Sequence, residues 1–135
     1  MSPLAQSAKA EVESLHAYLV PLFTGETRDL ARCESAFAAD LAMITPDGSY
    51  CNRSQILSNL ANATAAPGFR ISIEDVAVIW ESESAVLLRY VEEQYRDGET
   101  TRRLSSALFT ADRYAPLGVA WRHLHETWQE GNPNE

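Results

Sequence analysis

The chain has 135 residues, 45% of them hydrophobic and 22% charged, which suits one globular domain and excludes disordered, collagen-like or fibrous polypeptides. Its net charge is −8, from 19 Asp and Glu against 11 Lys and Arg, and it has no basic stripe, so neither nucleic acid nor an anionic membrane is an expected partner. Apolar runs fall short of the roughly 18 residues of a membrane helix and no secretory leader opens the chain, so a cytoplasmic protein is expected.

The first half reads as helical. Val12, Leu15, Leu19 and Leu22 lie three or four apart on one stripe that Gly25 ends, and Leu30, Cys33 and Phe37 repeat the spacing in a second helix ending near Ala39. Leu41 to Thr45 and Ser49 to Cys51 flank Pro46-Asp47-Gly48, whose Asp-Gly pair suits a tight hairpin, so a small two-stranded ribbon is expected. Asn52 and Gln55 form the N-terminal capping pair of a third helix, which presents Ile56, Leu57 and Leu60 before Pro67-Gly68 breaks it. Cys33 and Cys51 lack metal or redox spacing and read as reduced, packed thiols.

From Phe69 the period changes to two. Phe69 to Trp80, Ala85 to Arg96, Thr101 to Tyr114 and Val119 to Trp128 read as four strands, with separators short enough to make an antiparallel meander. The expected fold class is α+β, N-terminal helices packed on a strongly curved antiparallel sheet, in a single domain over residues 1–130 with a flexible tail at 131–135. The helices cover one sheet face. A second copy of the chain, making a homodimer, is the expected cover of the other.

Layout and residues together resemble the nuclear transport factor 2-like superfamily, the cone-shaped, cystatin-like fold shared with ketosteroid isomerase and polyketide cyclases. The resemblance covers nearly the whole chain. It is nearest to members of unassigned function and to the association (hub) domain of calcium/calmodulin-dependent kinase II. It rests on Asp40-Leu41-Ala42-Met43-Ile44-Thr45-Pro46-Asp47-Gly48, Arg53 with Ile56-Leu57, Gln94-Tyr95-Arg96-Asp97, Ser105-Ser106-Ala107-Leu108-Phe109, and Trp121-Arg122-His123-Leu124-His125-Glu126-Thr127-Trp128. It implies a ligand pocket between the concave sheet face and the helices, and association through the opposite face. It does not imply one activity, because isomerases, dehydratases, cyclases and assembly domains share this scaffold.

If Tyr114 pairs with Val119, then Ser105, Ala107 and Phe109 share a face with Leu124, Glu126 and Trp128, while Trp121, His123 and His125 take the other. The hub's basic pocket positions correspond to Ala107 and Trp128, so the resemblance puts the Glu126 face inside and leaves the hub's two arginines without counterparts. For the strand before it two registers stand. A two-residue Asp97-Gly98 turn puts Tyr90 and Glu92 on the inner face with Arg103. A longer loop turns Arg89 inward instead, and the hub resemblance favours that one.

Glu126 is the candidate catalytic residue: an inward carboxyl between Leu124 and Trp128 would be desolvated and suited to general acid or base work. The plainer reading, favoured over the catalytic one, is a structural ion pair with Arg89 or Arg103, or a surface glutamate if the faces are reversed. Arg89, Arg103, Tyr90, Trp80, Phe109 and Trp128 are the candidate ligand-binding residues, the aromatic ones serving also as plain core. Phe37, Met43 and Tyr18 are candidates for the opposite wall. His123 and His125 supply only two metal ligands, so no metal site is read, and with Trp121 they are placed at a dimer interface. No nucleophile elbow, phosphate loop, dinucleotide fingerprint or HExxH is present, and no cofactor is implied. The expected function is binding of a small polar or carboxylate-bearing molecule. The alternatives are an isomerase, dehydratase or cyclase that uses Glu126, and a hub-like oligomerisation module.

Overall fold

The structure, a computed structural model, describes residues 1–129, so the tail at 131–135 lies outside the described residues. The chain runs through α1 (Pro3–Thr24), α2 (Ala31–Ala36), β1 (Phe37–Ile44), β2 (Tyr50–Asn52), α3 (Arg53–Ala61), β3 (Arg70–Glu81), β4 (Ala85–Arg96), β5 (Glu99–Ala111) and β6 (Val119–Trp128). Ser2 caps α1 by accepting the Ala5 N–H at 3.1 Å, and Pro3 sits in the first turn, where no N–H is needed. Gly25 ends the helix at φ +89°, a left-handed conformation that a side chain would strain. Asn52 and Gln55 form the reciprocal capping box expected of α3. No helix among the described residues is long and apolar enough to cross a membrane.

All six strands form one sheet in the order β2-β1-β6-β5-β4-β3. The four-strand meander is as read from the sequence. The ribbon does not stand apart, however: β1 pairs in parallel with β6, with Ala42 opposite His123 and Ile44 opposite His125, so the sheet is mixed. The second helix ends at Ala36 and not near Ala39, which frees Phe37 onward to extend. The longer strand satisfies backbone groups on β6 that would otherwise form an open edge.

Three local features decide which side chains face the helices. Asp97 and Gly98, at φ +52° and +84°, make a two-residue turn that pairs Arg96 with Glu99, Glu92 with Arg103 and Tyr90 with Ser105. A turn this short has no slack for the slip that would turn Arg89 inward. Arg89 is accordingly exposed on the outer face, while Tyr90 and Glu92 are buried on the inner one.

In the β5–β6 ladder, Leu108 pairs with His123 but Phe109 pairs with Trp121, so Arg122 is an extra residue and the alternation inverts there. Leu124 and Glu126 face inward, as does Trp121 beyond the bulge. Trp121, placed from the sequence on the outer face at a dimer interface, is 2% exposed within the protomer. The Tyr114–Val119 pair does not form, because Val119 pairs with Ala111. That is a shift of three residues; the extra Arg122 takes one back, and from the Leu108–His123 pair onward the two-residue offset preserves which residues of the two strands share a face. In β3, Val78 pairs with Leu88 and Trp80 with Leu87, so the extra residue Ile79 turns Trp80 outward to 55% exposure.

The core packs Ala5, Ala8, Val12 and Leu15 of α1 against Val86, Leu88, Phe109 and Trp121 of the sheet. Within it Glu11 is fully buried, accepting from Arg32 Nη2 at 2.7 Å and Nη1 at 3.1 Å and from the Trp121 indole N–H at 2.9 Å. This forked pair ties α1 to α2 and β6. Glu11→Ala, which strands a largely buried guanidinium and an indole N–H, is expected to lower the unfolding free energy in urea by about 3–5 kcal/mol. A loss below about 1 kcal/mol would show that the network adds no net stability.

Candidate functional site

Towards Gln94 and Arg103 the inner sheet face diverges from α1, and a cavity of about 160 Å³ lies between them. Leu19 of α1, Met43 of β1, Ile56 and Leu60 of α3 and Leu124 of β6 make its walls largely apolar. His16 from α1, Glu92 and Gln94 from β4, Arg103 from β5 and Glu126 from β6 supply its polar groups. An apolar space with a few converging polar side chains has the character of a small-molecule site. Its volume is about that of an apolar cavity able to hold benzene.

The His16 ring is pinned at both nitrogens, Nδ1 lying 2.6 Å from the Val12 carbonyl oxygen and Nε2 3.0 Å from Glu92 Oε1. A carbonyl only accepts, so Nδ1 carries a proton. Glu92 Oε2 in turn accepts from the Gln94 amide at 2.5 Å, which favours its ionised form. Imidazolium against carboxylate is the arrangement these contacts satisfy. Burial alone would raise the Glu92 pKa, but His16, Arg103 and Gln94 together bring it down to about 2. Burial likewise opposes the charge on His16, and the Glu92 charge and hydrogen bond, with the Val12 carbonyl, hold its pKa above the ordinary value.

Glu126 is 4% exposed and, among the described residues, is held only by a 3.3 Å contact from Arg103 Nη1. Burial, followed by repulsion from Glu92, outweighs Arg103 and His16 and lifts its pKa to about 7. Two carboxylates in one poorly hydrated space cannot both ionise freely, and Glu92 has the better partners. Arg103 lies with its guanidinium carbon 5.0 Å from the Trp128 ring centroid. Its buried Nε has no hydrogen-bond partner among the described residues, and neither do the buried Tyr90 and Ser105 hydroxyls. Burial, followed by the Glu92 and Glu126 charges, pushes the Tyr90 pKa well up and keeps the phenol neutral.

Of the residues singled out from the sequence, Arg103 and Glu126 line the cavity, as do Phe37 and Met43. Tyr90 stands edge-on to His16 with ring centroids 5.8 Å apart, beside the cavity and not in its lining. Trp128 is 39% exposed above Arg103, its indole 3.3 Å from Asp47. Phe109 belongs to the closed core, 4.5 Å from the Trp121 ring, and Tyr18 turns its hydroxyl to the Asp29 carbonyl. His123 and His125 pair with Leu108 and Ser106 on the outer face. Arg89 and Trp80 point away from the cavity for the reasons given above.

Sequence reasoning placed Glu92 inward in only one of the two registers it left open, and passed over His16 and Gln94 as pocket residues. The signal for Glu92 and Gln94 was the alternation Tyr90, Glu92, Gln94, which the Asp97-Gly98 turn turns inward. For His16 it was the i, i+4 relation to Val12 on the α1 stripe.

No protein-family profile and no curated protein sequence matches the chain. Solved structures do. An NTF2-like protein of unknown function from Pseudomonas aeruginosa superposes with a TM-score of 0.82 at 25% identity, over 91% of this chain and 98% of that one. The calcium/calmodulin-dependent kinase II hub of S. rosetta gives 0.77 at 12% identity, over 92% and 95%. A ketosteroid isomerase-like protein from Parabacteroides distasonis gives 0.65 at 11% identity, over 92% and 88%. With its helices packed on one curved, unclosed sheet and these neighbours over nearly its whole length, the chain has the nuclear transport factor 2-like fold.

Proposed function

We propose that the protein binds a small organic molecule beneath α1, its apolar body against Leu19, Met43, Ile56 and Leu124 and its polar or carboxylate end at Arg103. The Arg103 guanidinium carries this reading. It is mostly buried between the Trp128 ring and Glu126, one N–H makes a long 3.3 Å contact, and the buried Nε–H has no partner among the described residues. An arginine presents five donors in a rigid plane, and unengaged donors beside an apolar cavity suit a ligand oxygen. Arg103 thus takes the part that sequence reasoning assigned to Arg89.

Small carboxylic acids with six to eight carbons (about the size the cavity holds) are expected to raise the melting temperature of the wild-type protein. Arg89→Leu should respond like wild type, and Arg103→Leu should not respond. Stabilisation by none of the acids, or an undiminished response in Arg103→Leu, would remove the reading.

A second reading is supported by Glu126 itself, a carboxyl held by one long contact in an apolar space and titrating near neutrality. A group so placed is suited to move a proton at carbon next to a carbonyl, as isomerisation, dehydration and cyclisation require. Deuterium incorporation from D2O next to the carbonyl of small cyclic ketones, followed by NMR, is expected with wild type and not with Glu126→Gln. Exchange no faster than in buffer would leave only the binding reading.

A homodimer is also proposed, formed through the outer sheet face. Trp80, Leu87, Leu108 and His123 are consecutive cross-strand partners on that face, an apolar row with His125 nearby. Hub and association domains among proteins of the same fold point the same way. Light scattering is expected to give twice the chain mass for wild type and a reduced mass for Leu108→Glu, and a monomeric wild type would reject this interface.

A further inference from the structure

The charges around the cavity pair off, His16 with Glu92 and Arg103 with Glu126. An anion entering such a space adds a charge that little water screens, so one of these groups has to compensate it. The groups that face Glu126 are His16 from α1, Tyr90 and Glu92 from β4, and Arg103 from β5. Residues contributed by β1 and α3, such as Met43 and Leu60, are apolar. Asp47, before β2, reaches only the Trp128 indole, and Glu11 is engaged by Arg32 and Trp121.

Among these groups only one can readily accept a proton. The Arg103 guanidinium presents donors and no acceptor. His16 already has both nitrogens against acceptors, and Glu92 is held by two donors. Among the described residues Glu126 has a single long contact, and that contact is to the arginine the anion would seek.

We infer that a small organic anion enters this cavity together with one proton from solvent, that the proton settles on the Glu126 carboxylate, and that Arg103, so released, binds the anion. The inference rests on the binding reading of the preceding subsection and adds to it the ligand's charge and its coupling to pH. Protonated, Glu126 is a donor in place of a repelling charge, and the buried Nε–H of Arg103 and the Ser105 hydroxyl lie on the same sheet face. A neutral ligand of the same shape displaces no charge and needs no proton.

Linkage gives the sign. Glu126 titrates at about 7 in the free protein, so below that pH it already holds the proton and anion affinity is level. Above it, the proton has to be taken up on binding and affinity falls by about tenfold per pH unit. Burial opposes the charge on His16, and the Glu92 carboxylate beside it holds its pKa above the ordinary value.

Isothermal titration of the full chain with sodium benzoate and with benzamide, its neutral counterpart, tests this between about pH 6 and pH 8.5. Each titration is run in two buffers of different ionisation enthalpy, so that proton uptake is read directly. Benzoate is expected to bind with level affinity at the acid end, to weaken by about tenfold per unit above pH 7, and to take up about one proton at pH 8. Benzamide should show neither effect. Glu126→Gln, which fixes the carboxyl end as neutral, should bind benzoate with affinity independent of pH and no proton uptake.

Benzoate binding that is level across the range, or proton uptake that persists in Glu126→Gln, would overturn the inference and leave the binding reading standing. Failure of both probes to bind at any pH would overturn both.

Discussion

Four ionisable side chains, His16, Glu92, Arg103 and Glu126, line one cavity and are themselves largely buried, so a charge on any of them needs a partner there. That constraint organises the wide end of the fold. It joins α1 to β4 through the His16–Glu92 pair and β5 to β6 through Arg103 and Glu126. Removing His16 or Glu92 leaves the other as an uncompensated buried charge, a larger penalty than the loss of an exposed ion pair. The same crowding separates the two carboxyls: the one with the imidazole and amide donors stays ionised, and the one with a single distant arginine becomes a reversible proton site.

The narrow end is governed by ordinary packing. Small residues on α1, Ala5 and Ala8, let the helix lie close to the sheet, and Phe109 and Trp121 fill the remaining space. Between the two ends Glu11, with Arg32 and the Trp121 indole, fixes how α1 crosses β6. Glu11 and His16 both tie α1 to the sheet, at Trp121 and Glu92, and Leu19 one turn further along the helix lines the cavity.

Kinase hub domains, a ketosteroid isomerase-like protein and proteins of unknown function share this scaffold, and at 11–25% identity the likeness carries the fold and no activity. In this chain the inner faces of β4, β5 and β6 carry the alternation Tyr90, Glu92, Gln94 and the opposed Arg103, Ser105 and Glu126. Functional divergence on a common sheet needs only side chains of one parity to change, since those of the other parity serve the outer face.

Periodicity and turn chemistry alone determined the helix-then-meander layout, because each helical stripe and each strand is dictated by neighbours in the chain. They also determined that Glu126, Ser105 and Ala107 share a face, since a two-residue error in register leaves parity unchanged. The inward set on β4 was legible in the Asp97-Gly98 turn. The hub likeness argued the other way, and the backbone geometry of the turn prevailed. The three-dimensional structure alone decided what single extra residues did. The bulge at Arg122 turned Trp121 into the core and the one at Ile79 turned Trp80 out, and no local signal marks where a ladder will slip. It alone also brought His16 to Glu92, residues 76 positions apart, and joined β1 to β6. Those partnerships arise from burial and from the need to satisfy backbone and charge across elements, which composition and spacing along one chain do not record.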